Sequence, residues 1–290
     1  MPQATGTLYG MVTVKSSDSY TLVALDTFGK HTRLGENDSF ILIDNDGYWK
    51  AQHSREYSNI TCLANSTPKS FSENVNQLIE LADAAQRDLV FLSNDVVFTP
   101  NWSQRLLSDP NCISLPSCNQ THNRGFPPSL SLDLFGNQFG KLNTQAHLHS
   151  VEFPSTYERL LMPFYVFKLP RSVYKRVGLW DTAFVMGAED VDYRLRALQQ
   201  GVNVRYCSSF LLHFQGTSTW NGAETAYETQ TRNQAYTQRF QEKWGQLLTE
   251  VCIGNKLDSV EVSLLPLADS HQWNQLLVSL MMSQQAQNTQ

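Results

Sequence analysis

The sequence predicts an α/β protein: a Rossmann-like, mostly parallel sheet flanked by helices, with a helical carboxyl-terminal extension. Three observations predict it. Through the first half of the chain, short apolar runs rich in β-branched and aromatic residues alternate with amphipathic stretches, the pattern of successive βαβ units. The runs are apolar at nearly every position, as strands covered by helices on both faces must be. The chain has 290 residues, 41% of them hydrophobic, enough to bury a large core.

LYGMVTV (Leu8 to Val14) is the first strand, followed by a helix-like stretch from about Tyr20 to Phe28. SFILIDND (Ser39 to Asp46) and NITCLAN (Asn59 to Asn65) are the second and third strands. Phe71, Val75, Leu78, Ile79 and Ala82 then recur at helical spacing behind Ser70, an N-cap residue. LVFL (Leu89 to Leu92) is the fourth strand. From Pro110 to about Pro163 the pattern loosens into Asn, Gln, Ser, Gly and Pro, with CISLPSC (Cys112 to Cys118) as a short fifth strand. The remainder of that stretch is loop or a substrate-shaping insertion, because structureless segments this long inside a domain are usually functional or disordered.

Order returns with FYVFKL (Phe164 to Leu169), a strand, and with PRSVYKRVG, a helix opened by Pro170 and closed by Gly178. AEDVDYRLRALQQG carries Val191, Leu195 and Leu198 as an apolar stripe and ends at Gly201, and VNVRYCSSFLLHF (Val202 to Phe214) supplies one or two more strands. Beyond Asn221 the chain is polar and helical. It finishes in a stripe of Trp273, Leu276, Leu277, Leu280 and Met281 and a Gln-rich tail expected to be disordered. Residues 1–245 read as one domain and 246–290 as the extension, whose stripe packs on the domain or makes a dimer or membrane-surface contact.

Several function classes fall away. A net charge of −5 with no Lys/Arg cluster gives no footprint for a phosphate backbone, so nucleic acid is not an expected partner. No run of about 18 apolar residues exists to span a bilayer, and MPQATGTLYG lacks the charged start and apolar middle of a signal peptide; a cytoplasmic protein is expected. The five cysteines form no CxxC pair and read as reduced, structural thiols, and the Asn-x-Ser/Thr triplets at Asn59, Asn65 and Asn101 carry no weight without secretion. No GxGxxG follows a strand, which removes the dehydrogenases, and KSSDSY after the first strand lacks the glycines a nucleotidyltransferase would need there.

Chemistry gathers at strand ends. Asp44 and Asp46 follow FILI, and Asp95 interrupts LVFLSNDVVFTP where an ionised carboxylate is costly unless it reaches solvent or a cation. Glu189 and Asp190 open a helix, and His213 sits in FLLHF. Singly, each has an ordinary reading: a turn former, a pair complementing a helix dipole, a satisfied core histidine.

Together, their order and spacing resemble the family 2 glycosyltransferases, inverting enzymes of the GT-A fold, and most closely the bacterial rhamnosyltransferase-like branch. The resemblance runs from about Leu8 to Gly245, through ILIDND, Ser93-Asn94-Asp95, FKLPRSVYKRVGLWDTAF, AEDVDYRLRALQQG and RFQEKWG. It implies a nucleotide-sugar donor bound near Val14, Asp44, Asp46 and Asn94, and Mn²⁺ or Mg²⁺ on its diphosphate, held by Asp95 and His213. It further implies a glycan or other hydroxyl acceptor, activated by Asp190 as general base and oriented by Glu189. Hard oxygen ligands suit such a cation, and the first turn of a helix is expected to keep Asp190 ionised. The sequence departs from the family pattern in three places: Lys15-Ser16-Ser17 stands for Thr-Tyr-Asn after the first strand, no glycine lies between Ser70 and Asn76, and Ser93 stands where the triplet carries its first acid. A catalytically inactive glycan- or nucleotide-sugar-binding protein of the same fold is the second reading.

Overall fold

The structure is a computed structural model and describes residues 6–53, 55–57, 59–119, 130–136, 164–214, 225–254 and 270–288. Its first half is a run of βαβ units: β1 (Thr7–Thr13), α1 (Asp18–His31), β2 (Ser39–Asp44), α2 (Tyr48–His53), β3 (Thr61–Ala64), α3 (Phe71–Ala84) and β4 (Asp88–Leu92). Then come β5 (Val96–Val97), α4 (Trp102–Leu106), β6 (Ile113–Cys118), β7 (Val166–Leu169) and α5 (Arg171–Val177). The chain continues through α6 (Glu189–Gln199), β8 (Val204–His213), α7 (Ala226–Cys252) and α8 (Ser270–Asn288).

The strands form one sheet in the order β3-β2-β1-β4-β7-β6-β8-β5. Neighbours from β3 to β4 are parallel, β7 runs antiparallel to both β4 and β6, β6 is parallel to β8, and β5 is antiparallel to β8. Register decides what meets at the edge. Thr13 pairs with Asp44, Leu92 with Val166 and Val96 with His213, so the carboxyl ends of β1, β2, β4 and β8 and the amino end of β7 come together. Ligands of open α/β sheets bind at this edge.

Both faces are buried, as the apolar runs require. Leu8, Leu89 and Phe91 pack with Val75, Leu78 and Ile79 of α3, while Tyr9, Met11, Val90 and Leu92 pack with Ala24, Leu25 and Phe28 of α1 and with Trp49 and Trp102. Gly10 sets how closely α3 approaches, since a Cβ there would lie 2.6 Å from the Leu78 methyls. The amino end of α3 is closed by a capping box: the Ser70 hydroxyl accepts the Glu73 N–H and the Glu73 carboxylate accepts the Ser70 N–H. Ser70→Ala is expected to cost about 1 kcal/mol in a urea melt.

Two expectations change. The residues after Asp95 form a short strand of their own, β5, because Val96 and Val97 pair with His213 and Leu212; the Cys112 to Cys118 run is therefore the sixth strand. The Gln-rich tail is helical, with α8 running to Asn288. Of the alternatives for the terminal stripe the structure shows packing on the domain: Leu276, Leu277, Leu280 and Met281 are buried against Leu195, Leu198, Phe240, Trp244 and Leu248. The Trp273 side chain, and most of the loose stretch from Asn119 to Pro163, lie outside the described residues. Among the described residues, no helix is long and apolar enough to cross a membrane.

Candidate active site

At the carboxyl edge of the sheet lies a cleft of about 330 Å³. Its lining joins Thr13 and Val14 from the end of β1, Asn45 from the end of β2, and Lys69 and Asn74 from the start of α3. Ser93, Asn94 and Asp95 come from the end of β4, Glu189 and Asp190 from α6 and His213 from β8, with Phe71, Phe91, Phe164 and Tyr165 as apolar wall. Sequence positions more than a hundred residues apart thus share one chamber.

The β2 end is held by amides. The Asn45 Oδ1 accepts from the Lys69 N–H at 2.9 Å, from Asn65 Nδ2 at 2.8 Å and from Asn74 Nδ2 at 3.2 Å, fixing the turn into α3 against the strand. Asp44 is fully buried. Its Oδ2 accepts the Lys50 N–H at 2.8 Å, and its Oδ1 is buried with no hydrogen-bond partner among the described residues. Asp46 is exposed and engaged locally, accepting the Lys15 N–H at 2.8 Å and the Tyr48 N–H at 3.2 Å. Asn94 reaches the cleft but spends its amide on packing, donating to Ser17 Oγ at 2.6 Å and Thr21 Oγ1 at 3.0 Å. Ser17 belongs to the triplet that departs from the family pattern, and it anchors the β4 end to α1.

Asp95 is 1% exposed. The Ser93 hydroxyl donates to its Oδ1, and His213 Nε2 lies 3.2 Å from the same oxygen. Ser93 therefore orients the neighbouring acid from the position where the triplet would carry another. His213 stacks on Tyr165, ring centroids 4.7 Å apart, and its backbone N–H is accepted by Asn119 Oδ1 at 2.7 Å. Burial pushes the imidazole down, but the Asp95 carboxylate more than offsets this and holds it up at about 10.

Among the described residues no group of three or more His, Cys, Asp or Glu side chains could cage a metal. Asp95 and, once a cation displaces its proton, His213 offer two ligands. Mg²⁺-type cations are ordinarily held by one or two protein groups plus substrate phosphates and water, so this donor set fits a divalent cation shared with a diphosphate.

Glu189 and Asp190 are presented by an unusual turn. Gly187 has φ +132° and Ala188, the N-cap of α6, sits in the left-handed region at φ +65°. The turn starts from Trp180, whose N–H and C=O are bonded to the Asn76 amide at 2.7 and 2.9 Å and whose ring stacks on Tyr193 at 4.5 Å. Glu189 accepts the Gly187 N–H, and Asp190 Oδ1 accepts the Val191 N–H at 2.8 Å.

The helix amino end does not lower these carboxyls. Burial raises both, and the Asp190 charge adds to the rise at Glu189, which reaches about 7. Desolvation outweighs the dipole because both side chains sit half-buried in the cleft wall. The consequence for stability has a definite sign. A carboxyl whose folded value lies above its unfolded one stabilises the fold while protonated, and that contribution is lost as pH rises from about 4.5 through about 7. Glu189→Gln is therefore expected to be the more stable protein at pH 8, by on the order of 2 kcal/mol after allowance for solvent screening, with the gap narrowing toward pH 5 in urea melts.

No protein-family model and no curated protein sequence matches the chain. Solved structures do match. One is GalNAc-T7 with UDP, GalNAc and Mn²⁺, at TM-score 0.61 and 14% identity, covering 96% of this chain and 55% of that one. Another is the mannosyltransferase PcManGT from Pyrobaculum calidifontis in complex with GDP-Man and Mn²⁺, at TM-score 0.55 and 10% identity, covering 97% of this chain and 74% of that one. This chain thus spans about half the length of the first. The likeness establishes the fold: a mixed α/β, mostly parallel sheet flanked by helices, of the GT-A type.

The sequence brings Val14, Asn94, Asp95, Glu189, Asp190 and His213 to one cleft; Asp44 and Asp46 flank Asn45 in the chain but do not line the cleft. Sequence reasoning missed Asn45, Asn74, Lys69, Tyr165 and Asn119. No local pattern signals them, because each is placed by a partner distant in sequence.

Proposed function

We propose that this protein is a metal-dependent, inverting glycosyltransferase that moves a hexosyl or deoxyhexosyl group from a nucleotide-sugar donor to an acceptor hydroxyl. The observation that carries the reading is the meeting, in one cleft of a GT-A sheet, of a buried Asp–His couple and a pair of carboxyls with raised affinity for protons. The likeness to structures holding UDP or GDP-Man with Mn²⁺ supports it.

In this reading the nucleoside lies along Val14 and Asn94, while the buried Asp44 supports that end from behind by holding the Lys50 N–H of α2. Asp46 shapes that end by holding the Lys15 and Tyr48 backbone. Asp95 and His213 would hold Mn²⁺ or Mg²⁺, which would supply countercharge to the leaving diphosphate. Asp190 accepts the proton of the acceptor hydroxyl as its oxygen bonds to the anomeric carbon and the bond to the diphosphate oxygen breaks. Glu189 orients the acceptor by hydrogen bonding. A base on the face opposite the leaving group gives single displacement and hence inversion. The acceptor is a glycan or another hydroxyl compound, the branch is rhamnosyltransferase-like, and the setting is cytoplasmic polysaccharide synthesis.

A panel of nucleotide sugars tested for thermal stabilisation with and without Mn²⁺ examines the reading. At least one donor is expected to raise the melting temperature only when Mn²⁺ is present, because a ligand binding the native state stabilises it by mass action. A panel with no Mn²⁺-dependent stabilisation would sink it. The anomeric configuration of the product, read by NMR, tests inversion.

A further inference from the structure

We propose that α7 is a clamp that sets the geometry of the Glu189–Asp190 pair, with Lys243 as its principal positioning residue. The proposal rests on the reading of that pair as acceptor-activating. The Lys243 ammonium bridges both ends of the segment that presents the pair, lying 2.7 Å from Asp181 Oδ2 before the turn and 2.8 Å from Asp192 Oδ1 after it. Asp192 is fully buried one turn into α6, where Trp244 Nε1 donates to its Oδ1 at 2.9 Å and Arg196 Nε to its Oδ2 at 2.9 Å.

Between those ends α7 makes two further holds. Arg232 Nη1 donates to the Met186 carbonyl at 2.9 Å, and the Tyr236 ring lies so close to Gly187 that a Cβ there would come within 2.5 Å of it. Arg232, Tyr236, Arg239 and Lys243 recur every three or four residues, so one face of the helix runs along the turn. Gly187 takes positive φ freely, whereas the left-handed φ of Ala188 is costly for a residue with a Cβ and persists only where the surroundings over-determine it. The carboxyls that the turn presents are half-buried. Glu189 faces Asp190 on its own helix and Arg232 from α7, and Asp190 faces Arg194.

Lys243→Met cuts the bridge, Lys243→Arg offers a cation that can span both acids, and Asp181→Asn weakens only the outer hold. The first readout needs no turnover: the Glu189 carboxyl is followed by ¹³C NMR against pH, its signal identified by its absence in Glu189→Gln. In Lys243→Met the Glu189 midpoint is expected to fall from about 7 toward the ordinary glutamate value of about 4.3, as water enters. Asp181→Asn is expected to give a smaller fall, and Lys243→Arg to stay near wild type. The second readout is transfer, expected to drop about 10- to 100-fold in kcat for Lys243→Met, with Mn²⁺-dependent nucleoside diphosphate affinity kept.

A residue that only stabilises the fold would lower the melting temperature and leave both midpoint and kcat in place; that result overturns the clamp. If Lys243→Met does not fold, Asp181→Asn decides, and an unmoved midpoint there overturns it equally. A midpoint that moves in a protein whose wild type transfers no sugar from any donor upholds the clamp and removes the transferase reading instead.

Discussion

Asp190→Asn is expected to lower sugar transfer by roughly 10²- to 10⁴-fold, the usual worth of a positioned general base. The amide keeps the shape of the carboxyl and its oxygen still accepts the Val191 N–H, so the turn into α6 should stand. What disappears is the capacity to take a proton from the acceptor. Nucleoside diphosphate binding with Mn²⁺ should not change, which separates loss of chemistry from loss of the site. The pH profile of the wild type follows from the same environment. Burial raises both carboxyls and carries Glu189 to about 7, so the pair releases its protons in steps that belong to the two together. A base acts only when deprotonated, so with Asp190 raised by burial the rate should climb with pH above the ordinary carboxylate range and fall away on the acid side. A profile flat from pH 5 to 8 would contradict the assignment.

Asp95→Ala carries the second large effect. It is expected to weaken nucleoside diphosphate binding in Mn²⁺ by at least about 10- to 100-fold, the scale on which even outer partners of metal ligands act. It should also abolish the dependence of nucleotide binding on the ion. In the absence of the acid, His213 loses the neighbour that holds it protonated, and burial drives the ring toward its neutral form. Because removal of one partner of a buried pair can cost about 3–5 kcal/mol, Asp95→Asn is the companion variant. It keeps an acceptor for the Ser93 hydroxyl and His213 while removing the charge. Calorimetric titration of nucleoside diphosphate with and without Mn²⁺ reads both variants. Coupling that survives in Asp95→Asn would take Asp95 out of the metal site.

The parallel half of the sheet was legible because its signals are local. Apolar runs buried on both faces, the Ser70 cap and the helical recurrence from Phe71 to Ala82 each state their own element. Elements defined by a distant partner were not. Val96 and Val97 become a strand only because β8 lies beside them, and the Gln-rich end of α8 is helical although nothing in its composition required it. The site divides the same way. Acids at strand and helix ends stood out, since ionised groups beside apolar runs need a reason. The Asn45–Asn65–Asn74 amide network, the stacking of Tyr165 on His213 and the engagement of Asp46 by the Lys15 N–H depend on chain crossings that no local pattern encodes. The electrostatics of Asp190 reversed for a related reason. The dipole at a helix start is visible in sequence, whereas the desolvation that outweighs it is a property of the assembled cleft.

The central claim is transfer from a nucleotide sugar, and release of nucleoside diphosphate tests it most directly. The donor that stabilises the protein with Mn²⁺ is incubated with it and the free nucleoside diphosphate is measured over time, with and without candidate hydroxyl acceptors. Steady release by the wild type, stopped by chelation of the metal and by Asp190→Asn, is the expected result. A donor that binds with Mn²⁺, stabilises the fold and yet is recovered intact under every acceptor would contradict the claim and leave a nucleotide-sugar-binding protein in its place.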